Sequence, residues 1–170
     1  MTLLKRIARL RVSLGFICGV AALWLSHPTK TSLLAGGLIA IAGAAVRVWA
    51  AGHLEKGREV TASGPYAYTR HPLYAGSSLI GLGLGLASAS VVVALLAMVY
   101  LGVTITAAIR TEEAHLTEKF GAAYPAYRSG QGAAVPRPFS FDRALRNREY
   151  RAVAGLLVAL GVLAWKARPF

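Results

Sequence analysis

Residues 73 to 109 read LYAGSSLIGLGLGLASASVVVALLAMVYLGVTITAAI, 37 positions without one charged side chain. A bilayer core takes about 20 helical residues, so the run is too long for one crossing. Near its middle stands Ala87-Ser88-Ala89-Ser90, a small, polar break. The run therefore predicts a helical hairpin with arms over roughly 73–87 and 90–109. Upstream, Thr31 to Ala51 is long enough to span, and Val12 to Ser26 is several residues short unless Arg11 snorkels. Downstream, Ala152 to Trp165 is shorter still, about 21 Å at 1.5 Å per residue. The basic N-terminus with Val12–Ser26 is also similar to a signal peptide, but Leu23-Trp24-Leu25 offers no small-x-small cleavage site and other spans follow.

Composition agrees with a membrane bundle. The 170 residues are 55% hydrophobic and only 15% charged, yet carry a net charge of +12. Nucleic-acid binders of such basicity are rich in charge, whereas this chain falls below the usual quarter, so the basicity reads as an orientation signal. With an inside N-terminus, 15 of the 19 Lys and Arg face the cytoplasm. Lys30, Lys166 and Arg168 lie outside, and Arg47 sits within a span as either an interface anchor or a contact for an anionic ligand. All seven acids share the cytoplasmic segments, which places the polar chemistry on that face. Cys18, the single cysteine, excludes an internal disulfide and a cysteine-rich metal site, and no metal ligand set is expected. Arg143, Arg146, Arg148 and Arg151 read as a topology and anionic-lipid anchor, with no nucleic-acid partner. Gly36/Ala40/Ala44 and Gly81-x-Gly83-x-Gly85 lie inside apolar runs with no preceding strand, so they predict close helix packing rather than a dinucleotide loop.

Two cytoplasmic segments carry the chemistry. In the loop from Gly52 to Pro72, Ser63-Gly64-Pro65-Tyr66 is a turn signal and Pro72 stands at a helix start. Tyr66, Tyr68, Arg70, His71 and Tyr74 form either an interfacial belt or a site for an anionic or zwitterionic small molecule beside free backbone N–H groups. In the second segment, Ile109, Glu113, Leu116 and Phe120 share one helical face and Gly121 is a C-cap, so the returning arm continues past the membrane. Glu112 and Glu113 need a cationic partner, either Arg110 one turn away or a ligand ammonium or sulfonium.

Gly64-Pro65-Tyr66-x-Tyr68-x-Arg70-His71-Pro72-x-Tyr74-x-Gly76, a membrane hairpin, then Glu112-Glu113-x-x-Leu116-x-x-x-Phe120-Gly121-x-x-Tyr124-x-x-Tyr127 resembles the isoprenylcysteine carboxyl methyltransferase and phospholipid methyltransferase superfamily. The resemblance covers about residues 50 to 140. It implies one all-α membrane domain over residues 1–170, a polytopic bundle of about five spans with the 152–165 helix as an extra, and a cytoplasmic cofactor pocket roofed by the C-terminal segment. It also implies S-adenosylmethionine as methyl donor and a lipophilic or lipidated acceptor entering from the bilayer. Carried over by position, the donor site falls on Arg58, Glu59, Val60, Thr61, Tyr66, His71, Pro72, Leu73, Tyr74, Glu112 and Glu113. His71, Tyr74, Arg110 and His115 are the candidates for touching the acceptor, and Tyr124, Tyr127 and Arg128 for a wall or lid within Phe120 to Pro138. Where the animal enzymes have an arginine one turn before the glutamate, this chain has Ala108, and Arg110 is the nearest substitute. The His-Pro-x-Tyr portion also resembles NADPH-dependent membrane sterol reductases, and a non-enzymatic membrane protein is the third reading.

Overall fold

The computed structural model describes residues 15–131 and 137–168. Val12 to Leu14 of the first expected span, the four N-terminal cations and residues 132–136 of the expected lid lie outside them. Among the described residues the chain is helical, without a strand. In chain order the elements are α1 (Gly15–Trp24), α2 (Lys30–His53), a 3₁₀ turn (Gly64–Ala67), α3 (Pro72–Ala87), α4 (Val91–Phe120), α5 (Ala123–Arg128), α6 (Phe141–Arg146) and α7 (Tyr150–Lys166). By length and composition, α2 and α4 can each cross a membrane, and α1 and α3 are shorter apolar helices.

Capping chemistry sets the boundaries. Thr29 and Ser32 close a reciprocal capping box at the start of α2, each side chain accepting from the other's backbone N–H at 3.0 and 2.9 Å. Pro72 occupies the first turn of α3, where its missing N–H costs nothing. The hairpin breaks where expected: α3 ends at Ala87, Ser88 is buried, Ala89 takes a φ of 50°, and the Ser90 hydroxyl caps α4 by accepting from Val93 N. Gly121, at φ 52°, ends α4. The 30 residues of α4 extend about 45 Å, half as long again as a hydrocarbon core of about 30 Å. Its last third, from Arg110 onward, therefore projects beyond the apolar run that ends at Ile109.

The core is a backbone-to-backbone seam between α2 and α3. Gly36, Ala40, Gly43 and Arg47 on α2 meet Gly76, Ile80, Gly83 and Ala87 on α3, two stripes with the same four-three-four spacing. A Cβ on Gly43 would stand 2.7 Å from Gly76 O and 2.8 Å from Ile80 N. The expected small-residue packing thus holds, with a division of labour among similar glycines: Gly83 faces α2, while Gly81 and Gly85 face Leu101 and Ala94 of α4. Leu156 and Leu160 of α7 close over Ala40 and Ala44 from the other side. Outside this core, Leu38, Ile41, Val91, Val92, Leu95, Val99, Val103, Leu157 and Val158 are exposed, a band of aliphatic surface suited to hydrocarbon rather than water.

Side chains pin both ends of the bundle. At one end Lys166 of α7 donates to Leu23 O (2.7 Å) and Trp24 O (3.1 Å), capping α1, and His27 N donates to Ser88 O at 2.8 Å. At the other, Arg47 forms a two-pronged ion pair with Glu149, Nε to Oε2 at 3.0 Å and Nη2 to Oε1 at 2.9 Å, and also donates to Leu73 O and Ser77 Oγ. Glu149 is the N-cap residue of α7, so α7 runs from one end of the bundle to the other. The anion that Arg47 meets is therefore the protein's own.

Candidate functional site

The first turn of α3 and the projecting part of α4 build a polar cluster. His71 precedes Pro72 with φ −132° and makes no side-chain cap, so its ring reaches across to α4, with Nε2 3.1 Å from Glu113 Oε1. One turn on, the Tyr74 hydroxyl donates to Glu112 Oε2 at 2.7 Å. Adjacent carboxylates on α4 are thus engaged by two residues three apart, the N-cap residue of α3 and Tyr74 in its first turn. The hydrogen bond from His71 holds the Glu113 carboxyl below its ordinary value, and the Arg128 guanidinium 3.8 Å away adds to this. Arg110 is not Glu113's partner: it is exposed and has no ion pair among the described residues, so the expected intrahelical pair gives way to pairs made between elements.

Helix α5 folds back over this cluster. The Tyr127 hydroxyl donates to Tyr66 O at 2.7 Å, tying α5 to the 3₁₀ turn. Gly64 makes that turn with φ 58°, and a Cβ there would stand 2.5 Å from the buried His53 ring. Tyr66 is buried, and burial, followed by the Glu112 charge, drives its pKa well up. The Tyr124 hydroxyl is buried without a well-formed hydrogen bond among the described residues. Burial, then the neighbouring Glu113 carboxylate, pushes its pKa up to about 12.

A second polar cluster closes the end of α2. Arg143 Nε bonds Glu55 Oε1 at 2.9 Å and its Nη1 donates to Gly52 O, while Asn147 Nδ2 donates to Ala51 O and Leu54 O, both at 2.9 Å. These satisfy carbonyls that the helix end leaves open. Arg137 forks onto Glu59 at 2.7 and 2.9 Å. Arg143 is therefore not the headgroup anchor its sequence neighbours suggest; it points inward because a helix C-terminus and a carboxylate both attract a cation. Of the expected donor-site residues, Tyr66, His71, Tyr74, Glu112 and Glu113 come together, with Pro72 and Leu73 in the turn that holds them. Glu59 and Thr61 belong to the second cluster, Thr61 Oγ1 accepting from Glu55 N at 3.2 Å, and the neighbouring Arg58 is exposed.

Between α3 and α4 lies a cavity of about 310 Å³, lined by Ser78, Gly81, Leu82, Gly85, Ala94, Ala97, Met98, Leu101, Gly102, Ile105 and Thr106. Its polar end is formed by Ser78, one turn from Tyr74, and Thr106, six residues before Glu112. Sequence reading missed Glu149, although it is one of only seven acids and stands directly before an apolar helix. Charge counting grouped it with the other acids, and folding alone paired it with Arg47.

The sequence profile described as phospholipid methyltransferase matches residues 11–123, more than half of the chain. The chain belongs to this family. Within the superfamily, a protein-S-isoprenylcysteine O-methyltransferase of Schizosaccharomyces pombe is 37% identical over 73 residues, which are 43% of this chain and 31% of that protein. The chain thus spans under a third of the curated relative it matches. No solved structure matches. Family membership and the aliphatic surface of the bundle agree that this is a membrane protein.

Proposed function

We propose that the chain is a membrane-embedded methyltransferase that moves a methyl group from S-adenosylmethionine to a lipophilic acceptor. The observation that carries this reading is the meeting of the Tyr74–Glu112 and His71–Glu113 pairs between the same two helices that line an apolar cavity, with Tyr74 one helical turn from its lining residue Ser78. The donor set suits the cofactor: adjacent carboxylates for cationic groups and tyrosine rings for a purine. When bound, S-adenosylmethionine supplies an electrophilic methyl on a positive sulfonium. Glu112 and Glu113 would attract its positive groups, Tyr74 and His71 fix those carboxylates, and Tyr66 and Pro72 would help to hold the rest of the molecule. Helix α5, latched by Tyr127 to Tyr66, excludes water. An in-line displacement asks for this alignment and dryness more than for a general base.

Glu112→Gln is expected to weaken binding of S-adenosylmethionine or its demethylated product about 10- to 100-fold, because a charge-assisted bond contributes about 1.5–3 kcal/mol. Calorimetric titration of the detergent-purified protein reads this directly, and isotherms matching the parent would remove Glu112 from the site. Copurified nicotinamide nucleotide, detected by mass spectrometry, would instead favour the reductase reading.

We place the polar clusters in the cytoplasm, with five crossings and the N-terminus inside. The charge asymmetry of the sequence supports this, as does the end-to-end course of α7 between Glu149 and Lys166. A phosphatase and a fluorescent-protein reporter fused after Phe170 are expected to be active only as the phosphatase, on the extracytoplasmic side. Fluorescence with silent phosphatase there would overturn the five-span count.

A further inference from the structure

We propose that the corner where α2 ends, α6 packs across it and α7 begins is a docking surface for an anionic phospholipid, with Arg58 and Arg146 as the cations for its headgroup phosphate and Phe141 and Leu145 reaching its acyl region. The surface shares no residue with the Tyr74–Glu112 and His71–Glu113 pairs or with the α3–α4 cavity, and it does not depend on methyl transfer. Four guanidiniums come within 4 Å of the Glu55 carboxylate: Arg143 at 2.9 Å, Arg58 and Arg137 at 3.8 Å, and Arg146 at 3.9 Å. Even with Glu59, which Arg137 engages at 2.7 Å, two acids face four arginines. The surplus is uneven. Arg143 and Arg137 have side chains only 13% and 20% exposed, and each holds a carboxylate at 2.9 Å or closer. Arg58 and Arg146 are 81% and 62% exposed and stand at the outer edge of contact. Glu55 is therefore already bonded by Arg143, and the two outer cations converge on it from separate elements with their donors open to an incoming anion. Paired guanidiniums match the oxygens of a phosphate. Asp142, the acid of α6 itself, lies in the first turn, where the helix dipole favours it.

Aromatic side chains set the depth of this corner. Helix α2 is long and apolar enough to cross a membrane, so its end at His53 lies at headgroup level. Trp49, one turn before that end, and Tyr150, the first residue of α7, are both exposed, and such rings favour the boundary between hydrocarbon and water. A row of rings then runs outward from α2 to α6: Trp49 to His53 at 6.5 Å between centroids, His53 to Phe139 at 6.2 Å, and Phe139 to Phe141 at 4.8 Å. The row ends in exposed Phe141, with exposed Leu145 one turn along the same short helix and Arg146 directly after it. Apolar side chains next to an open arginine suit a lipid surface, where each half finds its own medium. A free phosphate would take the arginines and leave Phe141 and Leu145 in water. The surface is also preformed, because Arg143 donates to Gly52 O and Asn147 to Ala51 O and Leu54 O, which lock α6 onto the end of α2.

The full chain in phosphatidylglycerol nanodiscs is expected to melt about 2–4 °C higher than in phosphatidylcholine nanodiscs. In the Arg58→Gln, Arg146→Gln double variant that difference disappears. The control Lys30→Gln, Arg168→Gln removes two exposed cations from the opposite end of the bundle and keeps the difference. Because each protein is compared with itself in two lipids, a change in its baseline stability does not affect the reading. Native mass spectrometry of protein released from mixed nanodiscs supplies a second measurement: the parent retains phosphatidylglycerol over phosphatidylcholine by about tenfold, and the preference falls toward unity in the arginine double variant and in Phe141→Ser, Leu145→Ser. Inorganic phosphate added to the phosphatidylcholine nanodiscs leaves the melting temperature unchanged. Equal melting of the parent in the two lipids, or a lipid difference that survives loss of both arginines, overturns the docking surface. So does a phosphatidylglycerol preference indifferent to Phe141 and Leu145, or an inorganic phosphate effect as large as that of the lipid, since either would mean a site for a free anion.

Discussion

Arg47→Ala is expected to cost about 3–5 kcal/mol of stability. The cause is less the lost attraction than the carboxylate left behind. Glu149 has a side chain only 9% exposed, and both of its oxygens are bonded by one guanidinium. Without Arg47 that charge is buried with no compensation, the Leu73 carbonyl and Ser77 hydroxyl lose a donor, and the start of α3 loosens under His71 and Tyr74. The double variant Arg47→Met with Glu149→Leu should recover most of the loss, since a buried ion pair exchanged for apolar packing is often neutral or better. Thermal denaturation in detergent, followed by size-exclusion chromatography, measures all three. A single variant as stable as the parent, or a double variant no better than the single, would show that the pair does not anchor α7 to the hairpin.

Gly83→Leu should be at least as damaging, by about 3 kcal/mol or more, and is expected to abolish a monodisperse folded protein. A Cβ on Gly83 would enter the space of Ala40 N and stand 2.8 Å from the Ala40 Cβ, with Gly36 O at 2.5 Å. Two of these neighbours are main-chain atoms of a helix, and they cannot rotate aside. Helix association in lipid depends on this close approach because apolar burial gives no net drive there. Gly85→Ala is the informative comparison: its Cβ would lie 3.3 Å from Ala94 Cα, a contact that a small shift relieves. If Gly83→Leu and Gly85→Ala eluted and melted alike, the α2–α3 seam would not be the core of the bundle.

The same glycines show what could be read in advance. A 37-residue apolar run with a Ser-rich middle must turn back, because the bilayer is thinner than the helix it would make, and the hairpin appears within a few residues of that reading. Pro72, Ser90 and Gly121 mark helix ends for local steric and hydrogen-bonding reasons, so they too were legible. By contrast, Gly81, Gly83 and Gly85 are equivalent as letters, and only the rotation of α3 between two partners assigns one to α2 and two to α4. Arg143 illustrates the limit of charge counting, which reports the side of a membrane but not whether a cation looks toward headgroups or toward Glu55.

Composition, span lengths and the two motif segments by themselves determined an all-helical chain with a membrane hairpin and named Tyr66, His71, Tyr74, Glu112 and Glu113, which meet at one end of that hairpin. Those features depend on local propensity and on partition between water and hydrocarbon, both of which act on short stretches. Only the tertiary structure decided that Glu113 pairs with His71 rather than Arg110, that Arg47 is matched by Glu149 from 102 residues away, and that a cavity remains between α3 and α4. Pairing and voids depend on which faces the helices turn to one another, and that is settled by the whole bundle packing at once.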